Sequence, residues 1–103
     1  MLVPAPVVAE AGYLLAREAG ARVESLFLRS LADGDFVSVE LARQDYDRMA
    51  DLVVTYSSLP LGTTDAAVIA IAERLKLTEV ATLDKRHFSV VRPSHADALR
   101  LLP

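Results

Sequence analysis

Cysteine is absent from the 103 residues of this chain, which removes a disulfide framework, a thiolate metal site and a thiol nucleophile together. The absence fits a reducing cytoplasm, the expected location. Histidine is scarce: His87 and His95 are the two. With no nucleophile elbow to serve, they do not make a serine hydrolase. His87, beside Phe88, reads as packed or solvent-facing, and His95, in Pro93-Ser-His-Ala, as a loop residue. Glycine-rich phosphate loops of the Walker or dinucleotide type are missing. No apolar run approaches the length needed to cross a bilayer, so no membrane partner is expected. Residues 1 to 20 do not read as a signal peptide, because the start is not basic and Pro4, Pro6 and Glu10 interrupt the apolar stretch. Positive charge is not in excess either. The 14 acids outnumber the 11 lysines and arginines, for a net charge of −3. That balance gives no electrostatic footprint for nucleic acid, so any such role has to rest on local chemistry.

What is present is a core. Hydrophobic residues make up 52% of the chain, which excludes disorder. Residues 1–103 are expected to form one domain, near the commonest domain size. Such a chain buries very roughly two thirds of its unfolded surface. Leu2 to Pro6 reads as a short strand. A helix follows from Val7 to Ala19 with Gly20 as its stop. The next helix, about Arg22 to Ala32, sets Val23, Leu26, Phe27 and Leu31 on one face. Asp33-Gly34-Asp35 is a turn, and Phe36 to Leu41 a strand. From Ala42 to Ser57 the helical period returns. It places Leu41, Tyr46, Met49, Ala50, Val53 and Tyr56 on one stripe and Arg43, Gln44, Asp47, Arg48 and Asp51 in water. After the loop 57–62 comes a helix that is apolar nearly all round, from Ala66 to Ala72, and should be covered on several sides. Val80 to Leu83 is a β-rich run, a short helix follows from Lys85 or Arg86, and Ala98 to Leu102 is a last strand. Strands alternating with helices predict an α/β fold with a mostly parallel sheet.

Three acids stand where such a sheet gathers its ligands, at the carboxyl edge of the strands. Asp65 lies in the opening turn of the apolar helix, Asp84 at the exit of the strand before it, and Glu10 just past the first strand. Each has a bland explanation. Asp65 favours the helix dipole, with Thr63 and Thr64 as caps. Asp84 ends a strand and caps the following turn, and Glu10 is an ordinary first-turn acid. Together, though, they would make an oxygen-donor site for Mg²⁺ or Mn²⁺. Such a cation activates water and offsets charge at a phosphodiester. Packed carboxylates raise one another's pKa until a cation binds, so the cluster would seek metal. Lys85 and Arg86 pair with Asp84 or contact a phosphate.

Val7-Val-Ala-Glu10, Leu61-Gly-Thr-Thr-Asp-Ala-Ala-Val68, Ala81-Thr-Leu-Asp-Lys-Arg-His-Phe88 and Val91-Arg-Pro together resemble the PIN-domain ribonucleases, most closely the VapC-type toxins of bacterial toxin–antitoxin pairs. The resemblance covers essentially the whole chain. It implies a three-layer α/β/α domain and Mg²⁺- or Mn²⁺-dependent endonucleolytic cleavage of structured RNA such as tRNA or rRNA. It also implies inhibition by a VapB-like antitoxin. Glu10, Asp65 and Asp84 take the places of the family's second, third and fourth site acids, and Thr64 and Thr82 stand beside them to position water or metal.

The family's opening strand, its Asp-Thr-Ser-like motif and two helices have no counterpart here. The expectation is therefore a PIN-like domain truncated at its N-terminus. Losing a central strand leaves sheet edges that invite another chain, hence an expected homodimer. A start-shifted toxin, a degenerate toxin kept for antitoxin binding and a dimer that fills the gap all fit the sequence. The alternative to an endoribonuclease is an inactive module of the same fold that binds antitoxin or itself. A plain structural α/β domain would need all three motif matches to be coincidence.

Overall fold

Two prolines fix where the first strand gives way to a helix. The computed structural model describes residues 1–77, 79–81 and 100–102, in two compact units, Met1–Glu40 and Leu41–Pro103. In the first, β1 spans Leu2–Pro4 and α1 spans Ala5–Ala19, with Pro4 as N-cap and Pro6 in the opening turn. Proline suits that turn because its missing N–H would have had no helical acceptor there. The helix thus begins two residues before the expected Val7.

Gly20 both ends α1 and starts α2, which spans Ala21–Asp33. Its N–H donates to the carbonyls of Leu15 and Ala16, both at 3.1 Å, and its own carbonyl accepts the Glu24 N–H at 3.2 Å. At φ 87° and ψ 174° this corner is accessible essentially to glycine alone. α2 closes with a left-handed glycine. Gly34 donates to Leu31 and Asp35 to Ser30, the paired bonds of a Schellman turn. The chain then enters β2, Val37–Val39, parallel to β1 with Leu2 opposite Val37. Phe27 and Phe36 pack as a tilted ring pair with centroids 6.1 Å apart. The inward face of α2 differs from the expected one. Glu24, Phe27, Ser30 and Leu31 are half-buried, whereas Val23 and Leu26 are exposed.

The second unit holds the core. α3 spans Arg43–Thr55 and α4 spans Thr63–Arg74, joined through a cis Leu59–Pro60 bond. Met49, Leu52, Leu61 and every residue from Ala66 to Ala72 are buried. The expectation for the apolar helix therefore holds. For α3 it shifts by a residue: the inward line runs Asp45, Met49, Leu52, while Tyr46 and Ala50 face solvent. The reason is polar, because Asp45 is tied to α4 and turns the helix with it. α4 ends in a Schellman turn built on Lys76, at φ 55°, with Lys76 donating to Glu73 and Leu77 to Ala72. β3, Glu79–Ala81, and β4, Arg100–Leu102, pair in parallel. Helices with exclusively parallel pairings among the described residues place the chain in the expected α/β class. The expected short helix after Asp84 lies outside the described residues.

Candidate functional site

Asp65 is the third residue of α4. Gly62, not Thr63 or Thr64, is the N-cap, with an extended backbone and no side-chain cap. Its carbonyl accepts the Ala66 N–H at 2.9 Å and closes the first turn around Asp65. Asp65 is half-buried, as is Thr64, and the seven residues that follow are buried. A negative group here meets the positive end of the helix dipole. The burial behind it makes its backbone hard to move. Asp65 is thus a half-buried acid on a rigid support.

Glu10 belongs to α1. It lies in the first unit, exposed, and because α1 starts at Ala5 it falls in the second helical turn and not the first. Asp84, Lys85, Arg86 and Thr82 lie outside the described residues. Among the described residues no three His, Asp or Glu side chains stand together as a metal site. What the structure does bring together with Asp65 is Thr64, its neighbour in the same turn.

The side chains that hold this helix were not singled out in the sequence. At the far end of α4, Arg74 Nε donates to both carboxylate oxygens of Asp45, at 3.1 and 3.0 Å. Asp45 is 2% exposed, and its Oδ2 also accepts the Ala42 N–H at 2.7 Å, capping α3. One turn on, Arg48 grips Glu73 with two bonds, Nε to Oε1 at 2.7 Å and Nη2 to Oε2 at 3.0 Å. This fork geometry is the strongest arrangement available to an arginine and a carboxylate. Hydrogen bonding to Glu73 holds the Arg48 pKa above its ordinary value, although partial burial pulls the other way. Arg48 is therefore half-buried in an ion pair, where the sequence places it wholly in water. Two signals could have found the network: an acid three residues past Ala42, the capping-box spacing, and the adjacent Glu73-Arg74 ending an otherwise apolar helix.

Comparison with known proteins gives a consistent result. The PIN domain family model matches residues 1–92, a stretch that contains Glu10, Thr64, Asp65, Thr82, Asp84, Lys85 and Arg86. The chain is also similar to Ribonuclease VapC26 of Mycobacterium tuberculosis (strain ATCC 25618 / H37Rv). Identity is 35% over 97 residues, covering 94% of this chain and 72% of that protein.

Proposed function

We propose, from the premise that this chain belongs to the PIN-domain family of VapC-type ribonucleases, that it is a metal-dependent endoribonuclease cutting RNA of the tRNA or rRNA class. The observation that carries the proposal is the half-buried Asp65 in the opening turn of a helix buried from Ala66 to Ala72. The helix dipole alone would favour an acid there, and the buried run behind it adds a firm support that suits a site acid.

The donor chemistry fits a hard cation. Carboxylates suit Mg²⁺ or Mn²⁺, and the chain has no cysteine to favour a softer ion. Asp65, Asp84 and Glu10 would hold it. When bound, the cation supplies Lewis-acid activation of water and of the phosphate. Thr64 and Thr82 orient the water or the ion, and Lys85 and Arg86 contact the RNA backbone through their positive charge. A VapB-like antitoxin is the proposed inhibitor, a homodimer the proposed assembly and the cytoplasm the proposed location. Among the described residues no helix is long and apolar enough to cross a membrane.

The test is cleavage of total tRNA with Mn²⁺, with EDTA, and with Asp65→Asn and Asp84→Asn. Cleavage should stop with EDTA and fall at least about tenfold in each variant while both remain folded. Undiminished cleavage in the variants would sink the proposal. A second reading, a non-catalytic module that binds antitoxin, has support from the apolar side chains Tyr13, Leu26 and Leu28 that α1 and α2 expose. It predicts antitoxin binding with no cleavage under any condition.

A further inference from the structure

Asp65 opens α4, and two ion pairs tie the other end of this helix to α3. α3 presents an acid and then a base, Asp45 and Arg48, and α4 presents an acid and then a base, Glu73 and Arg74. They meet antiparallel as Asp45 with Arg74 and Arg48 with Glu73. A slip that brought Glu73 to Asp45, or Arg74 to Arg48, would set like charges against each other in a seam where Asp45 is buried. The apolar part of α4 gives weaker guidance. Four of its seven buried residues are alanines (Ala66, Ala67, Ala70 and Ala72), so its surface has few large knobs to lock one position. Buried ion pairs contribute little net stability, and their best-attested use is to specify register.

We infer that Asp45 and Arg48 are positioning residues for Asp65: through Arg74 and Glu73 they fix the axial register of α4 and so the place of the carboxylate at its opposite end. The inference rests on Asp65 being a site acid, as proposed above. Eight residues separate Asp65 from Glu73, a lever of about 12 Å at 1.5 Å per residue. A slip of one residue carries Asp65 about 1.5 Å along the axis and swings it about 100° around it. A misplacement of about 1 Å is enough to cost a reaction about a hundredfold.

The discriminating variant is Arg48→Glu combined with Glu73→Arg. α3 then carries two acids and α4 two bases, so attraction survives in several registers and the information that selects one is lost. The measurements are melting temperature, the ¹H–¹⁵N amide peaks of Thr64, Asp65 and Ala66, and cleavage of total tRNA with Mn²⁺. The expected result is a melting temperature within about 5 °C of wild type, with these amide peaks shifted or doubled and cleavage at least about tenfold lower. Wild-type peak positions would overturn the inference and leave register to apolar packing. If this variant does not fold, Arg48→Met with Glu73→Met takes its place, since the pair is only partly buried and apolar replacement even of buried pairs is often tolerated. Failure of both to fold overturns the inference as well, because the pairs would then be holding the fold and not its register. A wild type that cleaves nothing removes the proposed activity, while the amide peaks still decide the register.

Discussion

Removing one partner of a buried ion pair costs more than removing both, and Arg74→Met isolates that effect. Asp45 is 2% exposed, so the carboxylate left behind has no route to water without moving α3. Breaking such a pair from one side typically costs about 3–5 kcal/mol. Here the Ala42 N–H still donates to Asp45 at 2.7 Å, which places the cost toward about 3 kcal/mol. Asp45→Asn on the Arg74→Met background removes the charge while an amide oxygen still caps α3. The double variant should therefore recover about 1–2 kcal/mol relative to Arg74→Met alone. Urea unfolding followed by circular dichroism reads both changes as shifts in midpoint at constant slope. A cost below about 1 kcal/mol for Arg74→Met, or strict additivity of the two substitutions, would refute the reasoning.

Leu52→Ala should cost about 2–5 kcal/mol, because Leu52 is 1% exposed in the α3–α4 core; the urea midpoint again reports it. Lys76→Gly should stabilise by about 0.5–1 kcal/mol, since Lys76 holds φ 55° in the turn that ends α4 and glycine takes that conformation without cost. A lower melting temperature would contradict this. The Arg48 pKa is raised in the folded state by its hydrogen bonds to Glu73, so its contribution is fully present at and well above neutral pH and is lost only as pH rises through the folded pKa, far into the alkaline range. The melting-temperature difference between wild type and Arg48→Met should accordingly gain no pH dependence from Arg48 itself between about pH 6 and pH 9.

α4 and the acid at its start were legible in the sequence because an unbroken run from Ala66 to Ala72 leaves no face for water. The ends of α1 and α2 were nearly so, since Gly20 and Gly34 stand where the backbone turns left-handed. The rotation of α3 was not. The stripe read from hydropathy leaves Asp45 out and puts Arg48 in water, and what draws them inward is a base and an acid on another helix, 29 and 25 residues away. Periodicity carries no such long-range information. Glu10 falls one turn further into its helix than the sequence suggests, because Pro6 belongs to the first turn of α1 and does not precede it. Asp84, the remaining expected acid, lies outside the described residues.

Mn²⁺ titration by calorimetry, on the wild type beside Asp65→Asn and Asp84→Asn with circular dichroism confirming the fold, tests most directly whether Asp65 serves a metal-dependent site. Saturable binding in the wild type that is lost in both variants is the predicted result. A folded wild type that takes up no Mn²⁺, or variants that bind it as well as wild type does, would contradict the proposed site.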